Sequence, residues 1–329
     1  MDSILLTLFL IFFASLIGLL FQLPFTGALI RFRANYTPKG LQLDSEGQAQ
    51  PYVGPVVTNY FAMLRRIHRI ESWPGFWKGY IPSAIHTVFV VIFVGIIGAS
   101  MSFKPGAHNT VEVQNGFYLV LYAAFLSLLS TPFTVLINRA ITTPHRLPWI
   151  GWKSVQVLLT PYELHRPWMI YLAPGLLLTR TLHVSWLVFV HRGVRRLLLP
   201  SLNTDDLYNE EDPSTVIDRL PPFRLGLYLL FVAISAITVL TPLEVISTRL
   251  SVQRNHSEAA GFGRVPQDED TADLEYAGRD EDVIALRPED NPYEGLVHCG
   301  KSILQEEGPE TLLRAWWVTL LLSLIGAFS

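Results

Sequence analysis

The chain has 329 residues, of which 50% are hydrophobic and only 16% are charged, with a mean hydropathy of +0.32 and a net charge of −3. A soluble globular domain carries about 25% charged residues, so this composition excludes an ordinary soluble protein and indicates a membrane protein without a nucleic-acid partner. The single cysteine, Cys299, excludes an internal disulfide, and no Cys/His spacing typical of a zinc site occurs.

Several apolar stretches are long enough to cross a bilayer core, which takes about 20 helical residues. They lie near residues 4–30, 80–103, 116–138, 172–191, 225–248 and 311–328. The sequence therefore predicts six transmembrane helices. The first stretch could instead be a cleaved signal peptide. However, it is preceded by Asp2 and by no basic residue, whereas a signal peptide begins with positive charge.

A short motif recurs at the ends of the odd-numbered apolar stretches. PFTGALIR occupies Pro24 to Arg31, PFTVLINR occupies Pro132 to Arg139, and PLEVISTR occupies Pro242 to Arg249. The prolines lie 108 and 110 residues apart, which is the fixed period of a repeat protein. The sequence therefore divides into three repeats, residues 1–109, 110–220 and 221–329.

Basic residues concentrate in the long connections inside the repeats. Of the 25 Lys and Arg residues, 18 lie in segments 31–78, 139–166 and 249–314. Because basic residues mark one side of a membrane, these connections are predicted on one side and both termini on the other.

Each long connection also contains a segment that predicts a helix on the membrane surface. In the first, Val57, Phe61 and Leu64 have helical spacing, with arginines between them. Corresponding segments lie near 152–160 and 296–304. The third connection carries an insertion, about 255–292, with 11 acidic and 3 basic residues. Few apolar groups oppose the entropy of ordering it, so we predict a disordered acidic loop, acting as a linker or as a binding segment.

This organisation resembles the mitochondrial carrier family. The resemblance rests on PLEVISTRL, YEGLVHCGKSILQEEG and LLRA in the third repeat and on FWKGYIPS in the first. It implies an all-α membrane protein with six transmembrane helices in three pseudo-threefold repeats, each with a short amphipathic matrix-side surface helix. It further implies a monomeric, multi-pass transporter of the mitochondrial inner membrane that works by alternating access around a central cavity.

The chain departs from the family where that family forms its matrix-side salt bridges. The acidic positions hold Thr26, Thr134 and Glu244, and the basic positions hold Leu29, Ile137 and Ser247. One of the six charges is present, so the ring of salt bridges cannot form as in the family. A second charge network, on the opposite side, is missing as well. We therefore predict a mechanism without a matrix salt-bridge lock, in which Glu244→Gln changes the transport rate little.

The resemblance also places substrate-contact positions, counted from the start of each even-numbered helix. These positions hold His86, Leu178, Thr179 and Leu322, with Arg180 directly beside the second pair. An ionisable residue inside a membrane segment is a functional candidate by default. We expect Arg180 to face the cavity and contact substrate, or to pair with an acid of another helix. His86 and His183 either contact substrate or pack as neutral, hydrogen-bonded rings.

Helix starts in the chain are candidate lipid sites. Trp77, Lys78 and Gly79 place backbone N–H groups and a cation at a helix N-terminus, which favours a phosphate. The resemblance implies that such sites hold cardiolipin, together with the aromatic-x-Gly elements of adjacent repeats. These elements contain Gly54, Gly151 and Gly295. The alternative is that Gly79 only permits close packing.

Two functions follow from the sequence. The first is a carrier-like transporter of a small solute or metabolite, with the substrate unassigned. The alternative, suggested by the missing charge networks, is a transport-inactive adaptor or scaffold in a mitochondrial membrane, which could be the outer one. The sequence has no nucleophile–His–acid grouping, metal motif or phosphate loop, so neither an enzyme nor a cofactor is expected.

Overall fold

The computed structural model of the chain describes residues 2–39, 42–43, 49–50, 54–102, 116–148, 152–200, 221–255, 275–278, 281–289 and 291–328. This part is predominantly helical, in agreement with the predicted all-α class. The strands among these residues are a two-residue antiparallel pair, β1 (Gln42–Leu43) and β2 (Ala49–Gln50), which the sequence does not predict.

The helices follow the order of the predicted repeats. The first contains α1 (Asp2–Ala34), α2 (Tyr60–Glu71), a 3₁₀ turn (Trp73–Trp77) and α3 (Tyr80–Ser102). The second contains α4 (Gly116–Thr142), α5 (Trp152–Leu158), α6 (Pro161–His165), a 3₁₀ turn (Pro167–Ile170), α7 (Leu176–Ser185), a π-helical turn (Trp186–His191) and α8 (Arg192–Leu198). The third contains α9 (Pro222–Ser235), a π-helical turn (Ala236–Leu240), α10 (Thr241–Val252), α11 (Leu296–Glu306), α12 (Pro309–Leu312), α13 (Trp316–Ile325) and a 3₁₀ turn (Gly326–Phe328).

Four helical segments of the described chain are long and apolar enough to cross a membrane. They are Phe9–Ala34, Trp73–Phe93, Ala124–Thr142 and Pro222–Val252, which correspond to the first, second, third and fifth predicted spans. The fourth predicted span is helical but contains Arg180. The sixth begins only at Trp316, so its described helix falls short of the roughly 20 residues that a bilayer core requires. The six-span architecture therefore stays a prediction.

The proline-bearing helices α1, α4 and α10 form the centre of the fold. Each contacts the other two, while α3 lies against α1 and α4, and α7 lies against α4 and α10. Pro24 and Pro132 lie inside α1 and α4, and Pro242 follows the π-helical turn before α10. Proline removes a backbone donor from the helical ladder, so α1, α4 and α10 each lack one such donor near the same point of their repeats.

The surface helices α2 and α11 each bury apolar residues against the fold, whereas Phe61 of the predicted apolar face is 60% exposed. On α2, Met63 and Ile67 are fully buried and belong to one core cluster with Phe32 of α1. On α11, Cys299 and Ile303 belong to a second core cluster, together with residues of α10. The Asn59 side chain caps α2 by accepting a hydrogen bond from a backbone N–H of its first turn. The surface helices thereby hold the connections against the ends of the membrane helices.

The predicted disorder of insertion 255–292 is wrong for its described C-terminal part. Val283 and Ile284 are buried in the cluster that also contains α2. The Ala285 N–H donates to Asn35 Oδ1 at 3.0 Å, and its carbonyl accepts from the Tyr36 N–H at 2.8 Å. Buried apolar residues and tertiary hydrogen bonds therefore hold the described part of the acidic segment against the fold. Residues 256–274, 279, 280 and 290 lie outside the described residues.

Candidate functional site

The arginine that ends each repeated motif forms a buried ion pair with a glutamate. Arg31 Nη2 lies 2.6 Å from Glu71 Oε2, and Arg139 Nη1 lies 2.5 Å from Glu163 Oε2. Arg249 binds Glu307 through both guanidinium nitrogens, with 2.9 Å between Nη2 and Oε2. All six side chains are buried. Each pair joins the end of a proline-bearing helix to the surface elements of the same predicted repeat.

These arginines also link the predicted repeats to one another in a closed ring. Arg31 Nε donates to the Ile141 carbonyl at 2.9 Å. Arg139 Nη2 donates to the Gln253 carbonyl at 2.6 Å. Arg249 Nε and Nη2 donate to the Arg33 and Asn35 carbonyls at 3.1 and 3.0 Å. The carbonyls at a helix end lack intrahelical donors, so each arginine satisfies an open position on the following repeat. We call this set the arginine ring and its side of the fold the connection end.

Arginine contacts lower the pKa of two glutamates of the ring, Glu163 and Glu307, against the effect of burial. Burial by itself raises the pKa of a carboxyl, but hydrogen bonds and charge from Arg139 lower the pKa of Glu163 below its ordinary value. In the same way, Arg249 lowers the pKa of Glu307 against burial, with Arg314 adding to the effect. A buried ion pair of this kind loses most when a single partner is removed.

Sequence reasoning selected the arginines of the ring but missed Glu71, Glu163 and Glu307. The sequence separations within the pairs are 40, 24 and 58 residues, so no fixed spacing identifies the glutamates. The available signal is their position: each lies in or directly after a surface helix, where an acid follows the apolar pattern. Only the folding of that helix onto its own repeat brings the acid to the arginine.

Glu244 is the centre of a second polar cluster, which includes a salt bridge that the sequence does not predict. Its Oε2 lies 2.7 Å from Arg33 Nη2, and it accepts a hydrogen bond from Thr319 Oγ1 at 2.6 Å. His183 Nε2 lies 3.4 Å from Oε1. Arg33 follows Leu29 by one helical turn, on the same face of α1, and so replaces the basic residue that the family has at Leu29. One inter-repeat salt bridge therefore forms, although the threefold set does not.

The predicted substrate-contact residues fall into two groups. Leu178 and Leu322 are 56% and 60% exposed, so the described fold encloses neither side chain. Thr179 is buried, but its hydroxyl donates to the Gly175 carbonyl at 2.7 Å within the same helix. These three residues therefore present no unused polar group to a cavity. His86 and Arg180 differ from them.

Arg180 and His86 carry buried polar atoms that have no protein partner among the described residues. These atoms are Arg180 Nη1 and His86 Nε2. The two side chains lie close enough for their charges to interact, although they come from α7 and α3, which flank α4. The His86 ring packs at 5.3 Å from the Phe133 ring of α4. The structure therefore places two of the three ionisable residues that the sequence selects, Arg180 and His86, within range of each other's charge.

The candidate lipid residues have other contacts in the structure. Lys78 Nζ binds Glu71 Oε1 at 2.5 Å and the Thr143 carbonyl at 2.8 Å, so its charge is turned inward. Gly79 has a positive φ of 84°, and a Cβ there would lie 2.8 Å from the Ile141 side chain. This favours the packing role for Gly79.

The remaining members of the lipid set are placed only in part. Trp77 is 37% exposed and donates through Nε1 to the Leu20 carbonyl at 3.3 Å. Gly295 lies against Gly175, because a Cβ on Gly175 would be 2.9 Å from the Gly295 Cα. Gly54 is partly buried beside the start of α2, and Gly151 lies outside the described residues. Cardiolipin binding therefore stays a prediction.

Comparison with known proteins gives one family match. Residues 220–329 match the family model described as mitochondrial carrier protein. The matched segment contains Glu244, Arg249 and Glu307, and it includes the third-repeat motifs of the resemblance, whereas FWKGYIPS of the first repeat lies outside it. No curated protein matches the chain in sequence. The match confirms the predicted resemblance and supports a membrane carrier in general.

Proposed function

We propose that this chain, whose residues 220–329 match the mitochondrial carrier family model, belongs to that family and transports a small organic anion across a mitochondrial membrane. Family membership supports a multi-pass transporter. The charge of the substrate is inferred from Arg180 and His86. The single observation that carries this inference is the buried Arg180 Nη1, which has no hydrogen-bond partner in the described chain.

An unpaired guanidinium is unfavourable within a membrane bundle. Charged groups inside the bilayer region normally pair with an opposite charge or mark a substrate path, and a buried polar group without a partner costs free energy. Arginine keeps its proton, so it cannot escape this cost by becoming neutral. A carboxylate or phosphate oxygen of the substrate would supply the missing acceptor and form a charge-assisted hydrogen bond.

The surroundings of Arg180 favour an anion that also has an apolar part. The His86 ring lies against Phe133, and the hydroxyl of Thr179 is used within its own helix. With an inorganic ion in the site, these apolar groups would contact water or the ion itself. A small organic acid places its charged group on Arg180 and His86 and its carbon skeleton on the apolar side.

Transport by alternating access requires that the connection end close and open. The arginine ring and the Arg33–Glu244 bridge join all three predicted repeats at this end, which supports closure there. In the proposed cycle, substrate bound at Arg180 stabilises a rearrangement that separates the Arg33–Glu244 bridge. The arginine–glutamate pairs move as parts of their own repeats and stay intact.

The remaining parts of the proposal concern location and lipid. The family and the apolar helices support a mitochondrial membrane, and we propose the inner one, with the outer membrane as the alternative. We also propose a monomer that binds cardiolipin near Trp77 and Gly79.

Reconstitution of the full chain into cardiolipin-containing vesicles tests the transport proposal. Uptake is measured for labelled mono-, di- and tricarboxylates and for phosphate, with neutral and cationic solutes of similar size alongside. We expect saturable uptake of one anionic class only. Arg180→Gln should lower uptake by about tenfold to a hundredfold, the equivalent of one charged hydrogen bond, whereas Arg180→Lys should keep part of it.

A matched control separates this effect from a general loss of positive charge. Arg224 is an exposed arginine at the start of α9, so Arg224→Gln should leave uptake unchanged. Equal uptake by Arg180→Gln and wild type would contradict the assigned site. Absence of uptake for every solute, from vesicles that contain folded protein, would instead support the adaptor.

A further inference from the structure

A separate cavity of about 400 Å³ lies at the connection end. The ends of α4 and α10 form one wall, and residues 286–289 of the insertion form another. The cavity therefore exists because the insertion packs onto the fold. Its volume falls within the range of small-molecule sites, which is about 300–1,000 Å³.

Two buried nitrogen atoms of residues that line this cavity have no hydrogen-bond partner in the described chain. They are Arg139 Nε and His145 Nδ1. Arg139 is 4% exposed, and its terminal nitrogens bind Glu163 and backbone carbonyls, so Nε is its remaining donor. His145 lies just after the end of α4. The unpartnered N–H of Arg139 requires an acceptor, which the cavity has room to supply.

A third lining residue, Arg254, has a weaker ion pair than the other arginines of the cavity. Its Nε lies 3.9 Å from Glu289 Oε1, whereas Arg139 and Arg287 bind their glutamates at 2.5 and 2.9 Å. The Glu289 side chain is 44% exposed. A loose, half-exposed pair contributes little to stability, so a stronger acceptor can replace the glutamate at small cost.

The charges of two nearby cations act on His145. Burial lowers the pKa of this histidine first, and the charges of Lys78 and Arg254 lower it further, while Asp282 acts in the opposite direction. A site at which two cations disfavour a third positive charge is a site that favours an anion.

We propose that this cavity binds a small oxyanion, held by Arg254, Arg139 Nε and His145, and that the oxyanion displaces Glu289 from Arg254. The chemistry is shared by phosphate and carboxylate groups, which both accept several hydrogen bonds from guanidinium groups. The site is distinct from that of Arg180 and does not depend on transport. An oxyanion bound there would join the end of α4 to the insertion and so stabilise the closed connection end.

Thermal unfolding of the purified full chain tests this proposal. Sodium phosphate, pyrophosphate and citrate are added separately, with sodium chloride at equal ionic strength as the reference. A ligand that binds the folded state raises the apparent melting temperature with concentration. We expect at least one oxyanion to do so beyond the chloride reference. The comparison of phosphate and pyrophosphate with citrate identifies which oxyanion chemistry is preferred.

Variants assign the shift to the cavity. Arg254→Gln should weaken the apparent affinity by about tenfold or more, since a charged hydrogen bond is lost, while Arg224→Gln should not change it. Glu289→Gln should strengthen the affinity, because the competing carboxylate is removed. The shift should persist in Arg180→Gln, which shows that the oxyanion does not occupy the central site.

Three results would overturn the proposal. The first is the absence of a shift with all three oxyanions. The second is equal affinity in Arg254→Gln and wild type, and the third is loss of the shift in Arg180→Gln. If Arg254→Gln does not fold, Glu289→Gln decides: unchanged or weaker affinity contradicts the assignment, and tighter affinity supports it. A failure here leaves the uptake experiment unaffected, because that experiment reports on Arg180.

Discussion

The arginine ring and the Arg180 site provide opposite environments for an arginine side chain. In the ring, Arg249 is buried and its terminal nitrogens bind Glu307 and the carbonyls of a neighbouring repeat. Arg180 is partly buried, and its buried Nη1 has no partner within the described residues. A buried charge is stabilised only when the protein supplies a partner for it. The comparison supports a structural role for the ring and agrees with the ligand-binding role proposed for Arg180.

The comparison predicts its largest effect on stability in the ring. Glu307→Gln removes the partner of Arg249 and leaves a buried guanidinium unpaired, which typically costs about 3–5 kcal/mol. We expect a marked loss of apparent melting temperature for the purified chain. Replacing both residues with apolar groups of similar size should cost less than the single change. A single variant as stable as wild type would show that the pair is dispensable.

The pH dependence of stability reports on the same pairs. The pKa values of Glu163 and Glu307 are lowered in the folded chain from the ordinary value of 4.5. A carboxyl with a lowered folded-state pKa stabilises the fold above its unfolded-state pKa, and this stabilisation is lost as the pH falls through the folded-state value. We expect the melting temperature to fall below about pH 5. The Glu307→Gln variant should show a flatter fall over this range.

The Arg180 site should show the reverse pattern. Arg180→Gln is expected to lower uptake by about tenfold to a hundredfold. Its melting temperature without substrate should equal or exceed that of wild type, because an unpaired buried charge has been removed. Loss of stability together with uptake would mean that Arg180 is a structural residue, in contrast to its assigned role.

Glu244 lies between these extremes and should show an intermediate effect. Its side chain is 25% exposed, and its bridge to Arg33 joins two predicted repeats that separate in the proposed transport cycle. We expect Glu244→Gln to change the uptake rate by up to about tenfold, with a loss of stability of about 1–2 kcal/mol, smaller than that of Glu307→Gln. An unchanged rate would support the expectation from sequence that the lock has no role.

The smallest effect is expected at the surface of the insertion. Arg69 and Glu281 are 66% and 60% exposed, with 3.1 Å between Nη2 and Oε2. Such pairs are worth about 0–1 kcal/mol, so Arg69→Gln should barely change the melting temperature. Arg66→Gln should lower the melting temperature more than Arg69→Gln, because Arg66 Nε also donates to the Val283 carbonyl at 2.9 Å. Equal effects of Arg66→Gln and Arg69→Gln would argue against a fixed insertion.

The sequence by itself determined the helical class, the repeated motif and the residues Arg31, Arg139, Arg249 and Arg180. The length of an apolar stretch and the position of basic residues beside it are local properties of the sequence. They indicate a membrane helix and its orientation wherever that helix lies in the fold. A repeat period is likewise visible without structure. The match over residues 220–329 agrees with the part of the chain in which the motif is most complete.

Only the tertiary structure decided which glutamate pairs with each arginine, where the Arg33–Glu244 bridge forms and how the described part of the insertion packs. Glu71, Glu163 and Glu307 lie at unequal sequence distances from their arginines, and Arg33 replaces Leu29 by a shift of one helical turn. The insertion is acidic on average, yet Val283 and Ile284 anchor it. Whether an ion pair forms or a side chain is buried depends on the distances between segments of the chain. The composition of one segment carries no information about these distances.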